Sequence, residues 1–178
     1  MRTFTAEGII IKRRDYKDAD RMLTVFTRDQ GKIVIKAAGV RKITSRRSPH
    51  VELLNHASLT LYKGNGYPIL TEAQTINGFS AIKGDLMKIG FAYHICELID
   101  GLCPEGQEQA SIFSLLLTTL HGFSSPEELA VKIHGFEVRL LTLLGFWNHT
   151  TQEEDTHTFI ENILERKLKS KRFFHRLQ

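Results

Sequence analysis

"GKIVIKAAGVRKITSRRSPH", residues 31 to 50, changes character half-way along. In its first half Ile33, Ile35 and Ala37 alternate with Lys32, Val34 and Lys36, the period of two by which a strand turns one face to a core and presents the other to solvent. From residue 39 the alternation stops. Arg41, Lys42, Arg46 and Arg47 then follow with a histidine, two serines and no acid. A half-buried strand running into a flexible cationic segment is the signature of a β-domain whose connection faces a polyanion, since each phosphate contact releases condensed counterions.

Working outward, the first 78 residues repeat this short, β-like texture. "TFTAEGIIIKRR", "RMLTVFTR", "HASLTLYKG" and "YPILTEAQT" join "GKIVIKAAG" as five stretches rich in Ile, Val, Thr, Phe and Tyr. Turn signals separate them, including "DYKDAD", "DQG" and "KGNGYP", whose Asn65-Gly66 predicts a tight hairpin. Asp18 and Asp20 are expected to pair with Arg21 and Arg14 or to shape the first turn.

From Ser80 the spacing becomes helical. Ile82, Leu86, Ile89, Tyr93 and Cys96 predict one amphipathic helix, and "QASIFSLLLTTLHGF" a second, buried one. In "SSPEELAVKIHGFEVRLLTLLG", Ser125, Pro126 and Glu128 predict a capped start and Gly145 a stop. A fourth helix, with Phe159, Ile160, Ile163 and Leu164 apolar, precedes the basic tail. The predicted fold class is α+β: an N-terminal five-stranded OB-type β-barrel over residues 1–79, then an all-helical domain over 80–178 ending in a basic C-terminal tail. An SH3-like barrel stays open.

Charge follows the same division. Lys and Arg outnumber Asp and Glu by 14 to 7 over residues 1–80, fall behind by 4 to 12 over 81–164, and lead by 6 to 1 over 165–178. The first block and the tail are thus expected to meet a nucleic acid. The DNA-binding candidates are Lys12, Arg13, Arg14, Lys32, Lys36, Arg41, Lys42, Arg46 and Arg47, with Tyr16 and Tyr62 as stacking platforms. In the tail, Arg166, Lys167, Lys169, Lys171, Arg172 and Arg176 add a second basic cluster.

Other classes find little support. No apolar run reaches membrane-helix length and no signal-peptide pattern opens the chain, so the expected location is cytoplasmic. Cys96 and Cys103 suit core thiols rather than a disulfide or metal motif. Gly31-Lys32 lacks the preceding glycine and following Ser or Thr of a P-loop, and no nucleophile elbow or His-Glu-x-x-His occurs, so no enzyme, cofactor or catalytic residue is expected. His149, Asp155 and His157 lack a fourth ligand, and no metal is expected there.

Taken together, these stretches resemble the RecO family of bacterial recombination mediators. The resemblance rests on Asp18-Ala19-Asp20-Arg21, Gly31-Lys32, Gly39-Val40-Arg41-Lys42 with Ser45-Arg46, "LTLYKGNGYPILTEAQ" (59–74), "FEVRLLTLLGF" (136–146) and "LKSKRFF" (168–174). The chain departs from many members in lacking the four-cysteine zinc module after the Leu-Gly-aromatic element, here Gly145-Phe146-Trp147. What the resemblance implies is a mediator of recombinational repair that binds and anneals single-stranded DNA, binds double-stranded DNA, and works with RecR to load RecA. It also implies a helical domain that holds the acidic tail of single-stranded-DNA-binding protein, with Lys132 and Arg139 as the candidate cations. An RNA-binding or translation-associated OB protein is the alternative that the same basic barrel would serve.

Overall fold

The computed structural model describes residues 2–123, 126–148 and 155–170. The expected cap Ser125, His149 and the tail from Lys171 onward lie outside these residues. No helix among the described residues is long and apolar enough to cross a membrane.

Five strands close into a barrel in the order β1-β2-β3-β5-β4: β1 (Thr3–Tyr16), β2 (Asp20–Thr27), β3 (Gly31–Ala37), β4 (His56–Tyr62) and β5 (Ile69–Asn77). This is the OB-type barrel, followed by helices, and the fold is α+β. β1 is long because it serves two neighbours: Thr3 to Ile9 pair with β4 and Gly8 to Tyr16 with β2, with a register shift between Ile10 and Lys12. At the handover a side chain on Gly8 would meet Val25 Cγ1 at 2.6 Å and the Phe26 carbonyl at 2.9 Å, so only glycine lets β1 pass. Ile10, Leu23, Val25, Ile35, Leu59, Leu61 and Leu70 fill the interior. Ile35 and Ala37 are fully buried and Ile33 packs against them, as the alternation predicted.

Two seams are thin or unexpected. β3 and β5 run parallel and share one ladder pair, Lys36 with Ile69, supported by the Lys36 N–H on the Pro68 carbonyl at 2.8 Å. The β4–β5 connection is no tight hairpin: it spans residues 63–68, and Gly66 does not take a positive φ. Pro68 instead supplies the carbonyl that the seam needs.

The chain divides into two compact units, Met1–Phe79 with Pro104–Ala110, and Ser80–Cys103 with Ser111–Gln178. The segment 104–110 thus joins the barrel: Gly106 N–H donates to the Lys32 carbonyl at 2.9 Å, and Lys32 bridges to Glu105. Gly31, at φ +63°, lies so close that a Cβ would sit 1.8 Å from the Gln107 carbonyl oxygen.

In the second unit, the single helix expected from Ser80 is two. α1 (Ser80–Lys83) stops at Gly84, and Asp85 caps α2 (Leu86–Leu102) by accepting the N–H groups of Met87 and Lys88 at 2.9 and 3.1 Å. The restart shifts the phase, so Leu86 and Tyr93 are exposed and His94, Ile95, Leu98 and Ile99 face inward. α3 (Ala110–His121) and α4 (Pro126–Leu143) follow. Gly145, at φ +80°, ends α4 with Phe146 N–H on the Leu141 carbonyl at 2.9 Å and its own N–H on Thr142 at 3.0 Å. Asp155 caps α5 (Thr156–Leu164), accepting from Thr158 N–H at 2.9 Å. Cys96 and Cys103 are buried thiols, and burial pushes that of Cys96 up to about 12.

Beyond α5 the chain is stapled to α2 by Glu97, which takes the Arg166 guanidinium at 2.7 Å and the N–H groups of Lys169 and Ser170, both at 2.9 Å. Burial alone would raise this carboxyl; these donors outweigh it and hold it at about 2, below its ordinary 4.5.

Two predictions follow from these contacts. Gly31→Ala forces a clash with backbone and a strained φ, and should destabilise the protein by about 2 kcal/mol or more in denaturant titration. Because the folded Glu97 carboxyl binds its proton less readily than the unfolded one, its stabilisation is complete above pH 4.5 and drains away as pH falls toward 2. Melting temperatures measured across that window should therefore fall less steeply in Glu97→Gln than in the unaltered chain.

Candidate nucleic-acid interface

Residues 38–55 join β3 to β4 and carry four of the nine basic candidates, Arg41, Lys42, Arg46 and Arg47. They are anchored, not free. Val40, Val51 and Leu54 are fully buried, Val40 and Val51 within the barrel core itself. Gly39, at φ +65°, donates its N–H to Asp20 Oδ1 at 2.7 Å, and the Arg41 N–H reaches the Ala19 carbonyl at 2.9 Å. At the far end His50 Nδ1 accepts the Thr75 N–H at 3.2 Å, and Asn55 Nδ2 donates to the Pro49 carbonyl at 2.8 Å. The expectation of a flexible segment is corrected by these ties: its course over the barrel is set by apolar burial and backbone hydrogen bonds.

The four cations of this segment divide in two. Arg47 is half-buried, and its guanidinium donates to the carbonyls of Leu70 at 2.5 Å and Ala38 at 2.7 Å. Arg41 reaches the carbonyls of Lys17 and Asp18 at 3.4 and 3.3 Å and pairs with Asp15 at 3.4 Å. Both hold the structure. Lys42 and Arg46, by contrast, are exposed with no acidic partner among the described residues. They line an open groove of about 860 Å³ whose walls also include Ser45, His50, Thr71 and Glu72. The Ser45 hydroxyl is buried in that wall and has no hydrogen-bond partner among the described residues.

The strand candidates divide the same way. Arg14 is exposed with no acidic partner among the described residues, whereas Arg13 pairs with Glu52. Lys12 is exposed and lines a second groove with Arg13. Lys36 pairs with Asp20 at 3.1 Å, and its ammonium lies 5.7 Å from the centre of the Tyr16 ring. The N–H of Gly39, then Lys36, hold the Asp20 carboxyl below its ordinary value. Lys32 is buried at 7% exposure beneath segment 104–110, which withdraws it from any solvent face. Arg21 takes Asp15 at 3.0 Å and Glu52 at 3.8 Å, so its partner is neither Asp18 nor Asp20.

Tyr16 and Tyr62 are both exposed, at 39% and 43%. Sequence reasoning passed over two further exposed side chains of the first unit. Tyr67 is 60% exposed, and Ile43, between Lys42 and Arg46, is wholly exposed. The signal for Ile43 was an apolar residue in an otherwise polar, basic run.

In the helical unit Lys132 pairs with Glu128 at 3.2 Å and also donates to the Gly122 carbonyl, while Arg139 is exposed with no acidic partner among the described residues. Of the polar residues weighed as metal ligands after the Leu-Gly-aromatic element, Asp155 is occupied as a helix cap and His157 lies 3.2 Å from Glu137.

Two family models match in succession, recombination protein O N terminal over residues 1–79 and recombination protein O C terminal over residues 83–157. The chain belongs to the RecO family. Among curated relatives it is similar to the DNA repair protein RecO of Symbiobacterium thermophilum, 33% identical over 82% of this chain and 58% of the relative. The corresponding proteins of Heliobacterium modesticaldum and Roseiflexus are 38% and 36% identical over 82% of this chain and 53% and 51% of theirs. The chain spans a little over half the length of the RecO relatives it matches.

Separating structural from free cations gives a testable division of labour. Lys42→Ala with Arg46→Ala should change stability by less than about 0.5 kcal/mol. The same pair should flatten the log–log salt dependence of single-strand binding by roughly 1 to 1.5 units, at about 0.7 per lost phosphate contact. Arg47→Ala should cost about 1–3 kcal/mol of stability, because it strands two carbonyl oxygens.

Proposed function

We propose that this RecO-family chain acts in recombinational DNA repair as a binding protein and not as an enzyme. Its barrel holds single-stranded DNA along the groove between segment 38–55 and β5, with Lys42, Arg46 and Arg14 on phosphates and Tyr16, Tyr62 or Tyr67 stacking on bases. The observation that carries this reading is that Lys42 and Arg46, exposed and without acidic partners among the described residues, line an open groove on an OB-type barrel. Phosphate contacts of this kind are indifferent to sequence, which suits a protein that must act wherever DNA is broken.

Annealing follows from the same electrostatics, since a surface that screens two polyanions at once lowers the barrier to their pairing. Cooperation with RecR in loading RecA, and capture of the acidic tail of single-stranded-DNA-binding protein beside Arg139, complete the proposal. Double-stranded DNA would engage the same cations without the stacking. Such work belongs in the bacterial cytoplasm.

Competition binding tests the central claim. Labelled single-stranded DNA should be displaced by unlabelled DNA at lower concentration than by RNA of the same sequence, and strand annealing should slow several-fold in the Lys42→Ala, Arg46→Ala variant. Preference for RNA, with annealing unchanged in the variant, would favour an RNA-binding role instead.

A further inference from the structure

Away from the barrel, three helices bring metal-type donors to one point. His94 on α2 and Glu137 on α4 are fully buried, and His157 on α5 is partly so, with 31% of its side chain exposed. His94 Nε2 lies 2.7 Å and His157 Nε2 3.2 Å from the same carboxylate oxygen, Glu137 Oε1. The three ligand atoms all fall within 4.8 Å of one another. We propose that His94, Glu137 and His157 form a binding site for a divalent transition-metal ion, zinc by preference, that cross-links α2, α4 and α5.

The outer contacts are those a metal site needs. A ligating imidazole is fixed by a hydrogen bond at its other nitrogen, and a ligating carboxylate by one at its other oxygen. His94 Nδ1 is 2.7 Å from Ser170 Oγ, and Glu137 Oε2 accepts from Thr156 Oγ1 at 2.5 Å. With those atoms occupied, only Nε2 of His94 and Oε1 of Glu137 face the shared point. The His157 ring stacks on that of His94, 5.3 Å between centroids and 19° between planes, which brings its Nε2 to the same side.

The geometry asks for a local adjustment of side chains. Around a tetrahedral zinc with bonds of about 2.0–2.1 Å, ligand atoms stand roughly 3.3 Å apart. The two imidazole–carboxylate edges, at 2.7 and 3.2 Å, need to open by about 0.6 and 0.1 Å, and the two imidazole nitrogens, within 4.8 Å of each other, need to close by up to about 1.5 Å. Two imidazoles and a carboxylate select a borderline ion over calcium or magnesium, which prefer all-oxygen shells. Water can enter beside the exposed edge of His157 and fill the fourth position.

The full chain, stripped with a chelator and dialysed, should take up one equivalent of zinc with a Kd below about 1 μM. Substituted with cobalt(II), it should show the visible absorption of a tetrahedral nitrogen–oxygen site. Zinc should raise the melting temperature of the unaltered chain, and magnesium or calcium should not. His157→Ala, whose side chain is the exposed one of the three, should weaken zinc at least tenfold while keeping its helical circular dichroism. Absence of a zinc-dependent rise in melting temperature in the unaltered chain would overturn the proposal whatever the variant does. So would undiminished affinity in a folded His157→Ala protein.

Discussion

The barrel is weakest where β3 meets β5, and much of the first unit is arranged around that seam. One ladder pair and the Lys36-to-Pro68 hydrogen bond are all the backbone offers there. Arg47 completes the closure: its guanidinium takes the carbonyl of Ala38, just past the end of β3, and that of Leu70, near the start of β5. The planar fork of arginine can serve two acceptors in fixed geometry, which a lysine point charge cannot. Segment 38–55 is therefore part of the barrel wall, and Val40 and Val51 seat it in the core like any strand residue.

Anchoring that segment decides where free charge remains. Asp15, Asp20 and Glu52 lie among Arg13, Arg21, Lys36 and Arg41, and neutralise the base of the cationic surface in a chain of pairs between 2.5 and 3.8 Å. Exposed pairs of this kind contribute little stability each, but they fix the β1–β2 turn against the segment and leave Lys42 and Arg46 standing beyond it. Unneutralised cations on a rigid support lose little conformational freedom on meeting phosphate, apart from their own side chains.

How much of this was legible in the sequence depended on whether the cause was local. The alternation in residues 31–37 and the β-branched runs gave all five strands, because a strand's faces are set by its own residues. The periodicity of Ile82, Leu86, Ile89, Tyr93 and Cys96 ran across Gly84, which hid the break and misplaced the buried face. Lys32 was misread because its backbone pairs with Glu105 and Gly106, more than seventy residues away, and the residue is buried. Arg47 looked like its neighbours; nothing in the sequence reports that two backbone carbonyls lie within its reach. Composition can count cations, but only the fold says which are already spent.

The acids of the helical unit make the same point with opposite sign. A block carrying 12 acids against 4 cations over residues 81–164 suggests a negative surface that would repel DNA. Several of those acids turn inward or cap helices instead. Asp85 and Asp155 satisfy helix N-termini, and Glu137 sits buried against two imidazoles. Glu97 and Glu161 bind backbone N–H groups of residues 168–170 together with Arg166 and Lys167. A carboxylate held by donors in this way projects little net field, since its charge is matched within the unit. The first cations of the basic tail likewise find acids within the unit: Arg166 pairs with Glu97 on α2 and Lys167 with Glu161 on α5. The charge asymmetry along this sequence thus records two different things. In the barrel it leaves exposed cations, the surface proposed to meet a polyanion, and in the helices it marks acids consumed in holding the unit and the start of its tail together.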